Sequence, residues 1–139
     1  MTIQEIESQI IDEFAQFEEW LDKYAYIIEL GRECPAIDEA DKTESNLIQG
    51  CQSRVWLSCR HEEGKLYFRA DSDAVITKGI ITLLIRVLDG QKPADILAAD
   101  LGFLDQIGLK EHLSPTRSNG LTAMVKQMKL YALAFSMKE

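Results

Sequence analysis

Three cysteines, Cys34, Cys51 and Cys59, and two histidines, His61 and His112, carry the sharpest chemistry in this 139-residue chain. A cysteine thiolate is a nucleophile and a metal ligand, yet cysteine is also among the most buried residue types. An inert core thiol is therefore the default for each. Cys59 fits it, sharing a strand face with Val55 and Leu57. Cys34, beside a helix end and Pro35, reads as a partly buried thiol. Cys51 departs from the default, because its neighbours Gly50 and Gln52 offer no apolar surface to bury it. A thiol on a glycine-bearing loop is accessible, and the glycine removes bulk where a partner must approach.

The other groupings are weaker. A metal site would have to combine the three cysteines with His61 and His112, but their spacings contain no C-x-x-C and no H-x-x-x-H. A hydrolase dyad of Cys51 with His112 would need an orienting Asn or Asp, and its spacing matches no signature. No glycine cluster precedes a helix, so a phosphate loop is absent. Tyr24, Tyr26, Trp56, Tyr67 and Phe68 read as core or sheet-face residues rather than a ligand box.

The elements that must position Cys51 are legible in outline. Thr2 and Glu5 have capping-box spacing, and Ile3, Ile6, Ile10 and Phe14 begin an apolar face that continues to Leu30. The pattern leaves open whether this is one helix or two with a break near Glu18–Trp20. Gly31 and Pro35 stop it. Asp38 to Ser45 reads as an exposed acidic loop, and Asn46 to Gly50 as a very short strand. Arg54–Arg60 and Leu66–Ala70 alternate as strands about a turn at Glu62–Gly64. Asp71 and Ser72 are N-cap candidates for a central helix over Asp73–Asp89. Short helices follow over Pro93–Ala99 and Phe103–Ile107, and Ser118 caps a last helix to about Met137. Helices, a small antiparallel sheet and helices again predict one α+β domain over residues 1–139, with helices covering one sheet face.

Composition narrows the function. The chain is 46% hydrophobic and 27% charged, with a net charge of -8. An acidic surface repels phosphate backbones, which argues against nucleic-acid and anionic-membrane partners. The longest apolar run, Ala74 to Leu88, is interrupted by Thr77, Lys78 and Arg86 and is shorter than a spanning helix, so a buried helix is expected. The opening MTIQEIESQI has no basic region, apolar run or cleavage site. With an odd number of cysteines, this points to a reducing, cytoplasmic setting with free thiols.

The segment N-L-I-Q-G-C-Q-S-R-V-W, Asn46 to Trp56, resembles the active-site loop of the SufE family, which accepts sulfur from cysteine desulfurases. Three further blocks agree in order and distance: Lys23–Gly31, Asp71–Ile80 and Leu113–Leu121. Together they extend the resemblance over nearly the whole chain. It implies a two-layer fold shared with NifU/IscU-type scaffolds, a three-stranded antiparallel sheet packed against helices. It implies that Cys51 is the sulfur-accepting cysteine, and it gives Cys34 and Cys59 no role. The scaffold relatives hold a cluster with three cysteines, and no matching ligands accompany Cys51 here, so the resemblance points to a carrier. The alternatives are an iron–sulfur scaffold or metal-binding protein, and a regulator of a desulfurase that carries no sulfur.

The implied partners are a cysteine desulfurase of the SufS or CsdA type and, downstream, a SufBCD-like scaffold complex. Pyridoxal phosphate would belong to the desulfurase, and no cofactor is expected on this chain. Attack by the thiolate on a persulfide would be helped by a cation. Arg54 and Arg117 are the candidates, although a surface arginine or salt bridge is the default for each. Asp73 is expected to cap the central helix and, by the resemblance, to lie near the Cys51 loop. Gln52 and Ser53 are expected to brace that loop with hydrogen bonds, and the loop is expected to have low local stability.

Overall fold

A capping box starts α1 (Ile3–Phe14): the Glu5 amide donates to Thr2 Oγ1 at 3.1 Å, and the Thr2 amide donates to Glu5 Oε1 at 3.0 Å. The computed structural model describes residues 1–138. The N-terminal apolar face resolves into two helices, with α2 spanning Trp20–Leu30. The chain then forms the β1 (Val55–Glu62) and β2 (Lys65–Ser72) hairpin and a central α3 (Val75–Leu88). Three short helices follow, α4 (Pro93–Ala98), α5 (Phe103–Gln106) and α6 (Leu109–His112), and a long α7 (Pro115–Ser136) closes the chain. No helix of the described residues is long and apolar enough to cross a membrane.

The hairpin is antiparallel, with Val55 opposite Ser72 and Glu62 opposite Lys65. Its two-residue turn, Glu63–Gly64, has φ of +52° and +77°, the double left-handed conformation that suits the twist of a hairpin. Val55 and Leu57 on β1 and Leu66, Phe68 and Ala70 on β2 bury one face. That face packs on a core to which α3 contributes Ile80, Ile81, Leu84 and Leu88, each at 2% exposure or less. The outward edge of β2 is covered: the amides of Leu66, Phe68 and Ala70 donate to Gln91 O, Asp89 Oδ1 and Pro35 O at 2.9, 2.7 and 3.0 Å. Covering an edge this way removes a template for unwanted strand addition.

The expected third strand is a correction. Among the described residues the sheet has two strands, and Leu47 makes only an isolated antiparallel bridge with Trp56, with Ile48 N donating to Val55 O at 2.8 Å. The reason is local. A short 3₁₀ turn ends at Asn46, and Gly50 bends the chain away at φ +95°, leaving too few extended residues between them for a ladder. Two cap assignments also change. α3 begins at Val75 with Ala74 at its N-cap position and no side-chain cap, because Asp71 and Ser72 complete β2. α7 begins at Pro115 with Ser114 as its cap, accepting from Arg117 N at 3.3 Å, so Ser118 lies inside the helix. Helix α6 was not expected, and the acidic loop carries 3₁₀ turns at Glu39–Asp41 and Glu44–Asn46.

Candidate functional site

Two anchors hold the Cys51 loop. On one side Ile48 pairs with Val55. On the other, Asp73 clamps Arg54 reciprocally: Asp73 Oδ1 accepts from the Arg54 amide at 3.1 Å, and the Asp73 amide donates to Arg54 O at 3.2 Å. The expectation that Asp73 caps the central helix is thus replaced by a different task, tying the end of the loop to the β2–α3 connection. Its expected closeness to the Cys51 loop holds.

Between the anchors, Gly50 is exposed and left-handed, and a Cβ there would stand 3.3 Å from Ala123 Cβ on α7. The chain can therefore lie flat on the helix only without a side chain at that position. Cys51 follows, half-buried, with its thiol donating to the carbonyl of Gly120 at 3.6 Å. The sulfur packs directly over Gly120, where a Cβ would stand 3.5 Å from Cys51 Sγ, an ordinary contact distance. The sulfur opens onto a small cavity of about 80 Å³. Gln52 and Ser53 line it from the loop, Thr77 and Ile80 from α3, and Arg117 and Met124 from α7.

Burial pushes the Cys51 thiol up from its ordinary value. Burial is the one cause of that shift, and no neighbouring cation offsets it while the loop is seated. Arg54 is exposed and does not line the cavity; its backbone is what the structure uses. Arg117 does line it, but its Nη1 donates to Tyr24 Oη at 3.0 Å, with the guanidinium carbon 5.8 Å from the Tyr24 ring centre. Gln52 and Ser53 border the cavity, and among the described residues neither side chain forms the bracing hydrogen bond expected of it.

The other thiols stand apart. Cys34 lies against Ala70 O at 3.5 Å, and burial raises its thiol. Cys59 sits in the paired β1 opposite Phe68, on the inward face its spacing predicts, and burial together with the nearby Asp89 carboxylate pushes it up to about 12. It borders a larger groove of about 590 Å³. Among the described residues no group of three or more His, Cys, Asp or Glu side chains is set to hold a metal ion. Tyr24, Thr77, Gly120 and Met124 belong to the site although sequence reasoning assigned them no part. The first three lie inside the blocks quoted above, which converge on the Cys51 cavity.

A family model described as "SufE: Fe-S metabolism associated domain" matches residues 8–132. The chain belongs to the SufE family. Membership associates it with iron–sulfur metabolism. It is similar to an uncharacterized SufE-like protein of Rhizobium meliloti (strain 1021), 40% identical over an alignment of 126 residues that covers 87% of this chain and 90% of that protein. Its fold is also that of a solution structure of a hypothetical protein from Thermus thermophilus. The TM-score is 0.76 at 22% identity, over 93% of this chain and 94% of the other, a likeness that speaks for the SufE-like fold alone.

Proposed function

We propose that this chain is a sulfur carrier that takes persulfide sulfur from a cysteine desulfurase onto Cys51 and passes it to iron–sulfur cluster assembly. In the accepting step the Cys51 thiolate attacks the outer sulfur of a persulfide on the desulfurase. A new S–S bond forms to Cys51, the partner's S–S bond breaks, and its electron pair leaves with the partner's thiolate. The outer sulfur keeps its proton or its charge, so nothing is oxidised or reduced overall. A scaffold cysteine then removes the sulfur by the same exchange. The chain itself is not an enzyme in this reading and needs no cofactor; the pyridoxal phosphate that liberates the sulfur from cysteine resides on the desulfurase. Loading Cys51 draws off the desulfurase's persulfide, which stimulates that enzyme, and the expected setting is the cytoplasm.

The observation that carries the reading is the seat of Cys51. It is a half-buried thiol on a loop anchored at its ends, held to α7 by one S–H···O contact, within the stretch the family model matches. A protonated, seated thiol is a poor nucleophile, which fits a carrier that reacts only once a partner has drawn its loop out.

Incubation with a desulfurase and free cysteine, followed by intact-mass analysis, tests it. The expected result is a gain of one sulfur atom that disappears in Cys51→Ser and persists in Cys34→Ser and Cys59→Ser. Failure of the native chain to take up sulfur would sink the carrier reading. Stimulation of the desulfurase that survives Cys51→Ser would instead make the chain a regulator, and stoichiometric iron or zinc in the purified protein would make it a scaffold.

A further inference from the structure

Among the side chains that line the Cys51 cavity, Arg117 alone carries a formal charge. Arg54, at the end of the loop, does not line the cavity, and the clamp with Asp73 engages only its backbone amide and carbonyl. Arg117 is exposed and projects from the first turn of α7, where a long side chain has room to swing. It is nevertheless held by two contacts to one residue of α2: the hydrogen bond to the Tyr24 hydroxyl and the stacking over its ring. Tyr24 is in turn braced edge-on by Trp20, at 6.4 Å between ring centres, and packs against the core, so it is a fixed post. Trp20 is itself stacked on His112 at 4.7 Å.

We infer that Tyr24 is a latch that parks the Arg117 guanidinium away from the Cys51 sulfur, and that undoing the latch lets the guanidinium become the counter-ion of that sulfur. This deepens the sulfur-carrier reading and rests on it. Parked, the site keeps a neutral, unreactive thiol while the loop is seated. Released, it places a permanent cation beside a sulfur that must be anionic to attack, and that becomes a persulfide afterwards. A guanidinium suits both species, because it stays charged at any working pH and spreads its donors over a fork. Tyr24 is thus a positioning residue, acting only through Arg117. The latch lies on the α2 face next to Leu21, which is 79% exposed. A partner seated over the Cys51 loop would meet the latch at the same time.

The test reads Cys51 itself, apart from any sulfur transfer. Alkylation by iodoacetamide is followed by peptide mapping across pH 6 to 10, which separates Cys51 from Cys34 and Cys59. Tyr24→Phe keeps the ring and removes only the hydroxyl, and thermal unfolding confirms that it folds. A cation moving to within about 4–6 Å of a thiol lowers its pKa by at least about one unit. Tyr24→Phe should therefore move the rate profile to lower pH and speed Cys51 labelling about tenfold at pH 7. The gain should vanish in Tyr24→Phe/Arg117→Gln and survive in Tyr24→Phe/Arg117→Lys, which restores a charge. Identical profiles for the native chain and Tyr24→Phe would overturn the latch. So would a gain that persists with Arg117→Gln, since the hydroxyl would then merely be steadying the loop. If Cys51 takes up no sulfur from a desulfurase, the carrier reading fails while this profile still decides the latch.

Discussion

The crossing of α2 on α3 and the seat of the Cys51 loop on α7 are both built on glycine, yet they are built to different tolerances. At the crossing, a Cβ on Gly79 would fall 2.1 Å from the backbone oxygen of Ile27, and one on Gly31 would fall 3.1 Å from Gly79 N. Backbone meets backbone there, both glycines are buried, and nothing at the contact can yield. A further tie joins the same layer: Arg86 on α3 pairs with Glu13 on α1 through two hydrogen bonds, and Tyr26 on α2 donates to Glu13 at 2.5 Å. At the loop seat, a Cβ on Gly50 would meet only Ala123 Cβ, at 3.3 Å, and one on Gly120 would meet only the Cys51 sulfur, at 3.5 Å. These are side-chain contacts at a half-exposed site. The difference separates a frame locked backbone to backbone from a loop that rests on that frame through side-chain contacts.

Substituting the glycines is the strongest way to break this contrast. Gly79→Ala should be the most damaging single change, because a 2.1 Å approach to a carbonyl forces the two helices apart along their buried faces. The expected loss exceeds about 3 kcal/mol in urea unfolding, a large part of the stability of a domain this size. A loss below about 1 kcal/mol would show that α2 can slide on α3 and that the frame is not rigid there.

Gly50→Ala should do less to the whole and more to the site. An alanine at φ +95° is strained by about 1–2 kcal/mol and is crowded by Ala123. The loop can escape both by lifting off α7, so the strain appears as local opening. Cys51 labelling by iodoacetamide should rise about fivefold, the factor for a shift of about 1 kcal/mol, with little change in the unfolding midpoint. The contrast would collapse if Gly50→Ala lowered the midpoint as much as Gly79→Ala while leaving Cys51 labelling unchanged.

The two regions also differ in how far the sequence disclosed them. The Thr2–Glu5 capping box and the hairpin with its Glu63–Gly64 turn were readable, because each depends on local spacing, whereas Cys51, expected to be accessible from its immediate neighbours, is half-buried like Cys34 and Cys59 because distant helices pack against it. Gly79 gave no such signal. It lies in an otherwise apolar helix, and only the crossing with Ile27, far away in the chain, makes it necessary. Ser114 and Ser118 both precede helical sequence, and Pro115, suited to the first turn, favours the earlier start. Asp73 has the composition of a cap, but the Arg54 amide, available only once the loop has folded back, competes for its carboxylate. The short Leu47–Ile48 pairing reads like a strand until the turn at Gly50 limits it to one bridge. The Tyr24–Arg117 contact joins residues 93 positions apart, a distance that no spacing argument bridges.

The smallest expected effect sharpens the same contrast through the thiols. Cys59 is held by strand pairing on the frame, and burial, followed by the Asp89 carboxylate, pushes it up to about 12, whereas in an unfolded chain a cysteine titrates near 8.5. Above about pH 8.5 the unfolded chain releases this proton while the folded chain keeps it. The unfolded state then binds fewer protons, so stability falls as pH rises, from about 8.5 toward 12. Below that window the group contributes no slope. Cys59→Ala removes this part of the alkaline loss, although Tyr131, whose hydroxyl is also raised by burial, retains its own share. The melting temperature of the native chain should therefore drop between pH 7 and pH 9 by about 2 °C more than that of Cys59→Ala. Cys51→Ala should show less of this convergence, because a loop that can lift lets its thiol ionise in water without unfolding the frame. Equal convergence for both variants would mean that the Cys51 seat is as unyielding as the strand that holds Cys59.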